Sequence, residues 1–136
     1  MPKYLTYLAC PYSVKAQSPS SRCTEFIAKL EECRANAATK AAVYLMHSRA
    51  WNVFSPITHS HPLHKIGGMQ GDWEFWKKID TEYLEMSCRL VVLCIPGWRE
   101  SVGVQAEIVI AREMRIPVLF LQKRKGKYEL ECIAPV

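Results

Sequence analysis

The sequence predicts an α/β fold: one parallel, doubly wound sheet of about four to five strands with helices on both faces. Three observations predict it. Short apolar runs alternate with longer stretches of three- and four-residue periodicity, the pattern of βαβ units. The run Leu90–Ile95 leads through Gly97–Ser101 into a helical pattern, Ile108–Met114, which is the strand–loop–helix corner where such sheets bind ligands. The 136 residues suit a single domain, 1–136, with no repeat or linker.

The elements follow in order. Lys3–Ala9 is a first strand ending at Cys10-Pro11-Tyr12-Ser13. Ser18-Pro19-Ser20-Ser21 signals a helix start. From about Arg22 to Ser48, Phe26, Leu30, Cys33, Ala37, Ala41, Tyr44 and Leu45 recur at helical steps. Trp51–Phe54 is a second strand, and Ile57–Gly71 reads as an irregular loop holding His59, His61, His64 and Gly67-Gly68. Asp72 caps a helix to about Met86. Arg89–Ile95 is the third strand, and Val102–Arg115 the next helix. Pro117–Leu121 is a fourth strand and Tyr128–Ile133 a fifth. In a sheet of this kind, Cys10–Ser13, Ser55–Gly71 and Gly97–Ser101 gather at one mouth, beyond the carboxyl ends of the strands.

Composition excludes several classes. Hydrophobic residues make up 49%, and no apolar run approaches the roughly 20 residues of a membrane span. The chain starts almost at once with a strand, so no signal peptide is expected. Six cysteines without a Cys-x-x-Cys pair read as reduced packing residues of a cytoplasmic protein. Of the net charge of +5, Lys123, Arg124, Lys125 and Lys127 supply four positives, which read as a solvated hairpin tip. Nucleic-acid binding needs a broader basic face with interleaved aromatics, and none is expected.

Glu107 is the odd residue. At about 100° per residue its neighbours in angle are Val104, Ile110, Ala111 and Met114. A glutamate within an apolar arc costs free energy unless it has a partner or a task. Gly103, four residues earlier, leaves it uncovered. The bland reading is a boundary glutamate paired to a lysine or arginine; the Ser/Gly entrance favours function. His59, His61 and His64 could suggest zinc, but they lie in a loop with no fourth ligand, so no metal or other cofactor is expected. His61 reads as a substrate contact, with local loop hydrogen bonding as the other reading of the three histidines. Trp73 and Trp76 share a helix face and read as core, with base stacking as the other reading. Trp98 and Tyr12, both in loops, read as a lid or base platform, with core packing as the equal alternative.

Three motifs carry a family likeness. Tyr7-Leu8-Ala9-Cys10-Pro11-Tyr12-Ser13 resembles the first-strand motif of the nucleoside 2-deoxyribosyltransferase superfamily. Asp80, Leu84 and Ser87–Leu93 resemble its aspartate, helix and third strand. Ser101-Val102-Gly103-Val104-Gln105-Ala106-Glu107 resembles its catalytic motif. The Ser55–Pro62 segment and Gly97-Trp98 are similar to features of small bacterial and phage members.

The resemblance implies a flavodoxin- or Rossmann-like domain that cleaves an N-glycosidic bond. Glu107 would attack C1′, Tyr7 would orient Glu107, and Asp80 would protonate or orient the base. An oxocarbenium-like state suits a carboxylate. Relatives acting on free nucleosides tend to carry aspartate where Ser101 stands, and those acting on 5′-monophosphates carry serine. An aspartate would repel a phosphate, whereas a serine at a helix N-terminus can donate to it. The expected substrate is therefore a nucleoside 5′-monophosphate, with Ser13, the nearby backbone and Arg99 as further phosphate contacts. The Cys10-Pro11-Tyr12 turn departs from such relatives in lacking glycines, and proline removes one donor. The family also implies a homodimer or higher homo-oligomer.

Hydrolysis is favoured over transfer to a second base, because a compact polar site is open to water. Two other readings stand beside this one. The first is cleavage of NAD or a related dinucleotide, which would need a more open Ile57–Gly71 loop. The second is a nucleotide-binding sensor without turnover.

Overall fold

The computed structural model describes residues 4–13 and 21–136. The expected strand residue Lys3 and the helix-start residues Ser18–Ser20 lie outside them. Among the described residues, nine elements follow in order: β1 (Leu5–Ala9), α1 (Ser21–Arg49), β2 (Asn52–Phe54), α2 (Pro56–Lys65), α3 (Trp73–Glu85), β3 (Ser87–Leu93), α4 (Val102–Glu113), β4 (Val118–Arg124) and β5 (Lys127–Glu131). Five strands form one sheet in the order β2-β1-β3-β4-β5. The β1, β2, β3 and β4 pairings are all parallel, and Tyr7 lies opposite both Phe54 and Leu90. This is the doubly wound order whose switch point falls between β1 and β3.

The period-two alternation of the central strands divides the core into two layers. Tyr7, Ala9, Leu90, Val92 and Phe120 face Leu84 of α3 and Val104, Ile108 and Ala111 of α4. Leu8, Cys10, Val91, Leu93 and Leu121 face Ala38, Ala41 and Leu45 of α1. The buried stripe of α1 is thus narrower than the sequence suggests. Small residues let the helix press against the sheet, while Phe26 and Cys33 are exposed. Cys132 is exposed too, so the expectation of uniformly packed cysteines fails at both positions.

Two further expectations need correction. The first concerns the segment read as an irregular loop, which begins with helix α2. Ser55 caps it by accepting from the Thr58 N–H, and Pro56 occupies its first turn, where a missing N–H costs nothing. Pro62 forfeits one helical bond without ending the helix, and Ile57 packs into the α1-side layer. The second concerns the sense of the last strand, since β5 is antiparallel to β4. A two-residue loop, Lys125-Gly126, joins them with φ of 49° and 77°. Such tight hairpins need positive φ at both positions. The basic cluster is therefore a hairpin tip, as its composition suggests. Gly126→Ala should cost about 1 kcal/mol in urea unfolding and leave any activity intact, because it lies outside the cleft described below. Among the described residues, no helix is long and apolar enough to cross a membrane.

Candidate active site

The carboxyl ends of β1 and β3 open into a cleft of about 870 Å³. Its walls come from the β1–α1 loop (Tyr12, Ser13), α2 (Ser60, His64), α3 (Trp73, Trp76, Asp80) and the β3–α4 corner (Gly97, Ser101, Gly103). Glu107 lines it from α4.

Glu107 is 5% exposed, between Val104 at 1% and Ala111 at 0%. Among the described residues, no lysine or arginine forms an ion pair with it. Its partner is the hydroxyl of the fully buried Tyr7, which donates to Glu107 Oε2. Burial pushes the Glu107 carboxyl up to about 8; the Tyr7 hydrogen bond opposes this, and the charge of Asp80 adds to it. Burial likewise raises Asp80 to about 6. Desolvation and the Glu107 charge hold the Tyr7 phenol well above its ordinary range, so it stays a donor. The result is one cleft with two carboxyl groups whose proton affinities are both raised by burial, Glu107 above Asp80. The short β1 positions Tyr7 from beneath, while Phe54 packs on Tyr7 and stacks on Tyr83 at 3.8 Å.

Ser101 is the N-cap of α4, accepting from the Val104 N–H at 3.2 Å. Its hydroxyl proton remains free to donate, so capping and ligand contact coexist. Gly103 lies under Trp73: a Cβ there would meet the indole at 3.5 Å, an ordinary contact. Tyr12 reaches across to His61, its hydroxyl 2.7 Å from Nδ1. Desolvation lowers the His61 pKa, which favours a neutral ring beside the phenol.

Not every expected residue reaches the cleft. Trp98 is 9% exposed and packs against Phe120, because the Gly97 turn folds the indole under the sheet end; it is core, not lid. Arg99 lies over the Trp98 ring and donates to the Pro135 carbonyl, outside the cleft. His61 stands behind Tyr12 rather than lining the cleft, and His64 lines it instead. The three histidines go separate ways: His59 to Phe54 and Tyr83, His61 to Tyr12, His64 to the Met69 carbonyl. Among the described residues, no group of three potential ligands could hold a metal ion. Trp73 and Trp76, read chiefly as core, are half-buried walls of the cleft.

Arg34 was missed altogether. The sheet-facing stripe of α1 runs 34, 38, 41, 45, and its first position is this arginine, at the cleft. That spacing was the available signal.

Residues 4–123 match the family described as Domain of unknown function (DUF1937). The match spans nearly the whole chain, and the chain belongs to that family. No curated protein matches it at a significant level.

Proposed function

We propose that this protein cleaves the N-glycosidic bond of a nucleoside 5′-monophosphate, with Glu107 as nucleophile and water as the favoured acceptor. The observation that carries the reading is the buried Glu107, held by the Tyr7 hydroxyl in a cleft shared with Asp80. A carboxyl group buried there without a cationic partner costs free energy to ionise, and its ionised form fits a developing positive charge at C1′. In the first step the Glu107 carboxylate bonds to C1′ and the C1′–N bond breaks. Its electron pair leaves with the base, which takes a proton from Asp80. In the second step water attacks C1′ and gives its proton to Asp80, and Glu107 departs as carboxylate. Trp73 and Trp76 offer stacking surface for the base. Ser13 and Ser101 stand where hydroxyls could meet the phosphate. This reading agrees with the resemblance to nucleoside 2-deoxyribosyltransferases.

Chromatography of free base tests it, with ribo- and deoxyribonucleosides, their 5′-monophosphates and NAD as substrates. Release from monophosphates that disappears in Glu107→Ala supports the reading; no release from any of them overturns the enzyme claim and leaves a nucleotide sensor. Ser101→Asp should lower kcat/KM for the monophosphate by roughly 10- to 100-fold while sparing the free nucleoside, because it sets a carboxylate against the phosphate. One observation keeps the dinucleotide reading in play. A cleft of about 870 Å³ lies toward the upper end of small-molecule sites, so the segment after β2 does not close it to a larger substrate. Release of base from NAD alone would move the assignment there.

A further inference from the structure

Arg34 is the one lysine or arginine lining the cleft among the described residues, and five carboxyl groups line it too: Glu31, Asp72, Asp80, Glu100 and Glu107. The guanidinium bridges two loops. Its Nη1 donates to the carbonyls of Tyr12 at 3.1 Å and Ser13 at 3.2 Å, and its Nη2 to that of Pro96 at 3.4 Å. Among the described residues no carboxylate pairs with it. Its Nε is buried without a partner. The backbone makes room for it: Gly97 has φ of 96°, and a Cβ there would lie 2.3 Å from Nη2. A side chain at Gly97 would thus be strained by its own backbone and would also collide with the guanidinium.

A cation held by carbonyls alone, with one nitrogen orphaned, is an incomplete arrangement. Carbonyl dipoles orient the fork without neutralising it. Asp72 and Asp80 at the α3 wall disfavour an anion on that side of the cleft, and the first turn of α4 opens at the same corner as Gly97 and Ser101. We propose that Arg34 is the specificity determinant for an anionic substrate group, receiving a phosphomonoester at the seam between the β1–α1 and β3–α4 loops. The proposal rests on the nucleotide reading for the rest of the ligand. Docking the phosphate at this corner leaves the sugar and base to the carboxylates and indoles of the remaining wall. Arg34 acts on binding, so its loss falls on KM for phosphorylated substrate and not on the bond-breaking step.

The test compares wild type, Arg34→Met, Arg34→Lys and Glu107→Gln. Inorganic phosphate and nucleoside 5′-monophosphates are titrated by thermal shift, and kinetics are run on matched monophosphate and free nucleoside. The expected result is stabilisation by phosphate and monophosphate that weakens about 10- to 100-fold in Arg34→Met, recovers partly in Arg34→Lys and persists in Glu107→Gln. KM should rise for the monophosphate alone. Unchanged monophosphate affinity in Arg34→Met overturns the proposal. So does an equal loss on phosphorylated and free nucleoside, which would make Arg34 a loop staple only. Arg34-dependent phosphate binding in a protein that releases no base supports the anion site and sinks the glycosidase reading. Glu107-dependent base release from free nucleosides, with no anion effect, does the reverse.

Discussion

Glu107→Gln should abolish turnover and at the same time make the protein more stable, increasingly so as pH rises. An unperturbed glutamate ionises near 4.5, whereas buried Glu107 keeps its proton to about 8. Between those values the folded state binds more protons than the unfolded chain. Stability conferred by the neutral carboxyl is complete below about 4.5 and is lost as pH rises through about 8. Glutamine has nearly the same shape, can still accept from Tyr7 and cannot ionise. Relative to wild type the variant gains little at pH 4.5 and on the order of 3 kcal/mol at pH 7, roughly 10 °C in unfolding temperature. Base release should fall by about a thousandfold or more, because the proposed attacking group is gone. A glutamate serving the fold would give the opposite stability result: its replacement would destabilise. Thermal unfolding from pH 5 to pH 9, beside the base-release assay, separates the two.

Tyr7→Phe should act through the proton on Glu107. The phenol is the donor that draws the Glu107 pKa down against burial. Removing it leaves a buried carboxyl with no partner and raises its pKa further. With Glu107 at about 8, about one molecule in ten carries the carboxylate at pH 7; a further unit removes another tenfold. Loss of orientation adds to this, so kcat/KM should drop roughly 10- to 100-fold. The pH profile supplies the distinguishing readout. Wild-type kcat/KM should be bell-shaped, with apparent breaks near the Asp80 and Glu107 values of about 6 and about 8. In Tyr7→Phe the alkaline break moves up while the acid break stays. A drop in rate with both breaks unmoved would mean that the phenol merely fills space.

The sheet was legible because its strands carry their own signal. Leu90–Leu93 is apolar at every position, as a strand covered on both faces must be, and it is buried throughout. Helix α2 was not legible, because Pro56–Lys65 combines two prolines and three histidines with only two large aliphatics, Ile57 and Leu63, and so shows no continuous apolar stripe. Its start was still written in Ser55-Pro56. Glu107 stood out by its place in an apolar arc, of which α4 buries Val104 and Ala111 while Met114 is exposed. Tyr7 did not stand out in this way, since an aromatic in a strand reads as core; the role proposed for it came from the resemblance and its contact with Glu107 from the fold. Trp98 failed for the converse reason. Loop residues are expected outside, but Gly97 turns the chain so that the indole meets Phe120. Arg34 was hidden because charged positions on a long helix ordinarily face water. Only the packing of α1 shows that position 34 continues the sheet-facing stripe.

The most direct test of Glu107 as nucleophile is peptide mapping by mass spectrometry after acid quench during turnover of a nucleoside 5′-monophosphate. The account predicts a peptide containing Glu107 heavier by one sugar phosphate, and no such peptide from Glu107→Gln. Base released by Glu107→Gln as fast as by wild type, with no adduct on either protein, would contradict it.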